Sequence, residues 1–190
     1  LHRESKRPLL IVAPTDDEAR DLAAELVALH GADTTALWPS RGVPSGGRVG
    51  PSPHLVGQRA RARGLIGQPE TIVLSSVAAL AERVPSVPPQ PLVLKRGAKV
   101  DGELVDLLAA LGYERVAHVE ERGEMAVRGG IVDVYPTTAD QPVRIDLFGD
   151  DIDELRVFSA FTQVTIRQID HVDVWPAAEP AGDALDSALA

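Results

Sequence analysis

The side chains with the most recognisable chemistry in this chain are arginines. Arg115, Arg122 and Arg128 follow one another at six- to seven-residue spacing and lead to Tyr135. A guanidinium keeps its charge and presents a planar fork that matches a carboxylate, and tyrosine adds rigid contact area, so such a set suits recognition of a protein surface. The plainer alternative is local pairing with Glu120, Glu121, Glu124 or Asp133 on a wet surface, where an ion pair contributes about 0–1 kcal/mol. Gly129 and Gly130 follow Arg128 directly. They predict a bulge, or a place where backbone or a partner comes close, and leave the guanidinium uncrowded. A turn centred on residues 123–126 would make the flanking strands antiparallel and bring Arg122 and Arg128 to one surface.

Other chemistry is absent or weak. No G-x-x-x-x-G-K-[ST] loop occurs, and the only lysines are Lys6, Lys95 and Lys99. The nearest imitation, GVPSGGRVG from Gly42 to Gly50, lacks the lysine and reads as a surface loop. Arg59, Arg61 and Arg63 in QRARARG are a candidate phosphate-contacting patch. Residues two apart on a helix do not share a face, however, so a solvated helix surface is the better reading. His2, His30, His54, His118 and His171 lack metal-ligand spacing, and Asp150–Glu154 lacks the twelve-residue calcium-loop pattern. With no cysteine, no G-x-S-x-G elbow and no recognisable Ser, His and Asp order, the chain reads as non-catalytic, with no cofactor and no metal.

At 190 residues with 44% hydrophobic content, the chain can bury one sizeable core or two small ones. It carries neither an eighteen-residue apolar run nor a secretory-signal pattern, so a cytoplasmic location is expected. The formal charge of −9 is uneven: residues 1–90 hold 10 Lys and Arg against 9 Asp and Glu, and residues 91–190 hold 9 against 19. The acidic second half repels a DNA backbone and favours a protein partner.

The elements that must position these residues fall into two groups. PLLIVAP at 8–14 reads as a strand buried on both faces of a parallel sheet. Thr15 caps a helix in which Glu18 completes a capping box, Asp16 and Asp17 complement the dipole, Ala19, Leu22, Ala23, Leu26 and Leu29 recur at helical spacing and Gly31 is the stop. Strand 34–38, a Gly- and Pro-rich loop at 39–53, a helix at 54–65 and a strand at 71–74 follow, with Ser75 or Ser76 capping another helix. Pro85, Pro88, Pro89 and Pro91 mark a domain junction. The expected class is α/β: a partial Rossmann-like, degenerate helicase-like parallel-sheet unit over 1–90, then an inserted α+β domain with an antiparallel sheet over 91–163. In the latter, strand 92–95, a helix from about Asp101 to Gly112 and strand 115–120 come first. A strand within 164–175 is expected to return to the first unit, and the tail to 190 has linker composition.

The second unit closes with RGGIVDVYPTTADQPVRIDLFGDDIDELRVF, residues 128–158. Ile131, Val132, Val134 and Tyr135 form one β-rich run. Val143, Ile145 and Leu147 alternate with Arg144, Asp146 and Phe148, and Leu155, Val157 and Phe158 end a third. Residues 136–140 and Gly149, Asp150 and Asp151 supply the turns of an antiparallel meander.

This segment resembles the UvrB-interaction-type domain of bacterial nucleotide excision repair, over roughly residues 91–165. The domain occurs in UvrB and in transcription-repair coupling factors, whose N-terminal part is similar to UvrB in three pieces, 1a, 2 and 1b. The short, tyrosine-free stretch 31–58 favours the coupling-factor type, since UvrB carries a long Tyr-rich hairpin there. The resemblance implies a UvrA-binding domain 2 at 91–163, a 1a-like unit at 1–90 and a 1b-like return at 164–190. It also implies a UvrA-binding surface containing Arg128 and, in outline, Arg115, Arg122 and Tyr135. The fragment would then be a non-catalytic adaptor bringing excision repair to stalled RNA polymerase, the ATP-dependent DNA translocase motifs lying elsewhere in the full-length protein. The competing reading is a DNA-binding fragment of a UvrB-like helicase, with Arg41, Arg48, Arg59, Arg61 and Arg63 facing DNA and its nucleotide-binding motifs outside the chain.

Overall fold

Ile72–Ser76 (β3) is the strand around which the first half is built, and every one of its five residues is buried. In the computed structural model, which describes residues 6–43, 50–84 and 87–179, it lies centrally in a three-stranded parallel sheet. Leu9–Ala13 (β1) runs along one side, with Leu9 opposite Ile72, and Thr35–Trp38 (β2) along the other, with Thr35 opposite Ile72. Asp16–His30 (α1) connects β1 to β2 and buries Ala19 and Ala23, so small residues face inward. The Thr15 hydroxyl accepts from the Glu18 amide at 3.3 Å. Gly31, at φ +92°, ends the helix with its N–H donated to Val27. Pro53–Leu65 (α2), β3 and the short Val77–Leu80 (α3), capped by Ser76, complete the helices and strands of this half.

β1 is not the doubly buried strand its composition predicts. It is an edge strand, with Leu9, Leu10 and Val12 each 41–47% exposed. An unbroken apolar run identifies a strand but not its place in the sheet, and the central place went to β3.

The second unit comprises residues 52–57 and 91–179; the remainder of the chain forms the first. Its main sheet has six strands in the order β10-β9-β8-β7-β6-β5: Glu114–Arg115 (β5), Glu124–Arg128 (β6), Ile131–Val134 (β7), Val143–Phe148 (β8), Asp151–Phe158 (β9) and Thr165–Gln168 (β10). All neighbours are antiparallel except β5 and β6. Met125, Val132, Val134, Val143, Ile145, Leu155 and Val157 line one face and pack with Leu104 and Leu108 of Leu104–Ala110 (α4) and with Tyr113. Leu92–Lys95 (β4) and His171–Val174 (β11) form a separate antiparallel pair whose Leu94 and Val174 enter the same core.

Three expectations about this unit are corrected. Residues 165–179 do not return to the first unit: β10 closes a hairpin on β9 and β11 pairs with β4. Propensity shows that a segment is extended. Its partner is set by proximity, here a six-residue connection in which the Gln163 amide donates to the Ser159 carbonyl at 2.7 Å. The helix begins at Leu104 rather than near Asp101, after Gly102 at φ +102°. The strand expected at 115–120 stops at Arg115, because Glu124 accepts hydrogen bonds from the amides of Glu120 and Glu121 at 2.7 and 2.8 Å and holds 120–124 in a turn.

The first turn of α2 belongs to the second unit, and Gly57 lies against Thr137. A Cβ there would sit 2.1 Å from the threonine Oγ1, so glycine is required by close approach rather than by backbone freedom.

Candidate functional site

The face of the six-stranded sheet opposite its apolar core is a lattice of charge. Strand register sets Ala126, Asp133, Arg144 and Arg156 in one row across β6–β9, and Arg128, Ile131, Asp146 and Glu154 in the next. Asp133 is the keystone, with a side chain only 1% exposed. Arg144 grips it through both ends of its fork, Nε to Oδ1 at 2.7 Å and an Nη to Oδ2 at 2.8 Å. Arg128 donates to the same Oδ2 at 2.8 Å.

The two arginines are held differently. Arg144 also stacks over the buried Phe158 ring, 4.6 Å from its centroid, and its side chain is 18% exposed. The hydrogen bonds that it donates to Asp133, outweighing the effect of burial, lift the Arg144 guanidinium above its usual range. The Arg128 side chain stands 48% exposed. Asp146 and Glu154 both pair with Arg156. Further along β8, at the alternation that carries Arg144 and Asp146, Phe148 is 81% exposed. A large exposed aromatic beside oriented arginines has the composition of an interface hot spot.

The sequence-predicted residues do not converge. Gly129 and Gly130 form the two-residue hairpin turn between β6 and β7, Gly129 at φ +61°. Gly130 approaches the β8 backbone, accepting from the Leu147 amide at 2.7 Å, so the double glycine provides a turn and a close approach together. The turn between Arg122 and Arg128 is therefore misplaced: residues 124–128 are a strand, with Arg128 at its far end and Arg122 in the turn that precedes it. Arg122 serves another corner, donating to the Ala139 carbonyl at 2.8 Å and lying 5.4 Å from the Tyr135 ring centroid. The Tyr135 hydroxyl donates to the Asp140 carbonyl at 2.9 Å. Arg115 is exposed on the edge strand β5. The sequence reading offered Asp133 as a local partner for these arginines, which is what Arg128 finds, and it missed Arg144 and Phe148. Their signal was present in the VRIDLF alternation, which puts Arg144, Asp146 and Phe148 on one face.

Of the three helix arginines expected on a solvated surface, Arg59 is buried, while Arg61 and Arg63 are partly exposed. Arg59 is 1% exposed, ion-paired with Glu82 at 2.7 Å and donating to the Pro39 carbonyl at 2.6 Å. Arg61 donates to the carbonyls of Thr35 and Ala32, and Arg63 to that of Val87. Arg41 is buried as well, its amide bonded to Glu82. A short helix on a small sheet leaves too little room for every polar side to reach water, so these arginines tie loop carbonyls instead. Arg48 and most of the Gly-rich loop lie outside the described residues. Among the described residues no His, Asp and Glu group has metal-binding geometry, and no helix is long and apolar enough to cross a membrane.

Residues 92–179 match the family described as UvrB interaction domain. The chain is 42% identical over 177 residues to a transcription-repair-coupling factor of Mycobacterium bovis, covering 86% of this chain and 14% of that protein. It is 29% identical over 184 residues to the coupling factor of Bacillus subtilis, covering 94% and 16%. A UvrABC system protein B of Thermotoga neapolitana is 36% identical over 77 residues, 40% of this chain and 12% of that protein. The chain therefore spans about a seventh of the length of the coupling factors it resembles.

Proposed function

Because residues 92–179 belong to the UvrB interaction domain family, in a chain similar over most of its length to transcription-repair coupling factors, we propose that this chain is a UvrA-binding adaptor module. It acts through the charged face of the six-stranded sheet, with Arg128 as the exposed contact, Arg144 as its fixed neighbour and Phe148 as the apolar anchor. The observation that carries this reading is the Arg128–Asp133–Arg144 constellation, in which one buried carboxylate orients two guanidiniums before any partner arrives. Preorganised arginines lose little side-chain freedom on binding, which raises affinity without further contact area. In the longer protein this module would bring the excision machinery to stalled RNA polymerase, with translocation driven from elsewhere in the chain.

Binding of UvrA by this fragment, measured calorimetrically, tests the reading, with duplex and single-stranded DNA titrated in parallel at moderate salt. Saturable UvrA binding with no DNA binding supports the adaptor. DNA binding without UvrA binding sinks it in favour of a DNA-binding fragment, a reading that the burial of Arg59 and Arg41 weighs against.

A further inference from the structure

Among the described residues β10 is the open edge of the sheet, bonded to β9 on one side only, and all four of its residues are exposed. The opposite edge, β5, has two residues and offers little to pair with. Beside β10 stand Phe161, Val164 and Ile166, exposed by 96%, 63% and 54%. The segment 158–169 holds a single charged residue, Arg167, within a half of the chain where acidic residues outnumber basic ones 19 to 9. A pocket of about 590 Å³ opens along the same strand, and Arg167, Gln168, His171, Asp140 and Asp170 are among the residues that line it.

The charges of this pocket are unequally satisfied. Asp140 is ion-paired with Arg122 and Asp170 with Arg96, at 3.4 and 2.8 Å. Arg167 has no ion pair among the described residues, so the cation is what remains for a ligand.

We propose that β10 and the Arg167 pocket form a second docking site, distinct from the Arg128–Arg144 face, which takes an extended polypeptide segment as a seventh strand with a carboxylate side chain set against Arg167. An open edge supplies main-chain donors and acceptors in the spacing of an antiparallel partner, and an adjoining pocket selects alternate side chains, the arrangement of strand-addition peptide sites. The exposed apolar residues would be covered by β-branched side chains of the incoming strand. A second copy of this chain fits poorly. Two-fold antiparallel pairing of β10 with itself brings Arg167 close to its own counterpart, and like charges at cross-strand distance repel. Nucleic acid is disfavoured by the acidic surroundings of one lone cation.

The test uses the 190-residue chain and two labelled seven-residue peptides, capped at both ends. Both are built of valine and threonine with a single charged residue at the centre, glutamate in one and lysine in the other. Anisotropy titrations report affinity, and amide hydrogen exchange reports protection at residues 165–168. The glutamate peptide is expected to bind and to slow exchange in β10, the lysine peptide to bind roughly fivefold more weakly, and Arg167→Glu to reverse that preference. Equal binding of the two peptides, binding without protection of 165–168, no binding of either, or an unchanged preference in Arg167→Glu would each overturn the proposal. UvrA binding by Arg167→Glu is expected to match the parent chain, so failure here and failure of the adaptor reading are read separately.

Discussion

Asp133 shows how one side chain can separate stability from recognition. Its carboxylate is buried and held at both oxygens by Arg144, so that pair belongs to the folded structure. Arg128 adds a third bond from a position about half exposed. Arg128→Ala is therefore expected to leave urea-denaturation stability within about 1 kcal/mol of the parent, while weakening UvrA binding by at least about 1 kcal/mol. Arg144→Ala strips a buried carboxylate of its fork and is expected to cost about 3 kcal/mol of stability as well as binding. Equal stability losses for the two variants would refute this division. A second residue-scale prediction concerns Tyr113, whose hydroxyl donates to the Trp175 carbonyl at 2.9 Å and accepts from the Thr137 amide at 3.2 Å. Burial pushes its pKa up to about 12 from 10.0. Between those values the folded state holds a proton that the unfolded chain releases. The contribution is thus complete below pH 10 and lost as pH rises toward 12. Tyr113→Phe is expected to remove that part of the alkaline loss of stability, and denaturation curves from pH 9 to 12 would show an unchanged slope if the idea is wrong.

At the scale of elements, packing reverses two rules that hold for isolated segments. Glycine inside a helix ordinarily costs about 1 kcal/mol relative to alanine, so Gly57→Ala in α2 should stabilise on propensity alone. The Thr137 side chain occupies the place of the new methyl, and the variant is expected to be destabilised instead, by roughly 1–3 kcal/mol. A thermal melt showing a gain would contradict the contact. The second case is the chain after Gln163. Read by composition it is a strand on its way elsewhere, yet β10 and β11 complete the second unit and Val174 lies in its core. A chain ending at Gln163 is expected to lose the cooperative unfolding of that unit in circular dichroism, whereas one ending at Glu179 keeps it. Helix α1 is the contrasting element: its cap, its first-turn acids and its glycine stop were all legible in order, because each acts within a turn of its neighbour. Asp16 also accepts from the Ser40 hydroxyl and amide, a contact across 24 residues that no local pattern announces. Burial works to raise the Asp16 pKa, but these hydrogen bonds outweigh it and hold the carboxyl below its usual range.

Across the whole molecule, charge and chain order carry the argument. The acidic residues concentrate in the half that contains the two proposed docking faces, where partners would be selected by placed arginines rather than by a basic field. The second unit is also discontinuous in sequence: residues 52–57, from the middle of the first ninety, pack with 91–179. His54 bonds to the Thr137 carbonyl at 2.9 Å, a tie within that unit between segments 83 residues apart.

The sequence by itself determined the class of fold, the existence of most strands and helices, the lack of familiar catalytic motifs and the family resemblance. These follow from periodicity, caps, turns and motif spacing, all of which act over a few residues or are printed in the chain. Only the tertiary structure decided that β1 is an edge, that β10 belongs with β9, that Arg59 is buried, and that Arg144 rather than Arg122 shares a carboxylate with Arg128. Each depends on which strands become neighbours and in what register. That choice is made by packing among residues distant in the chain, and a one-residue shift in register would turn Arg144 from Asp133 into the apolar core.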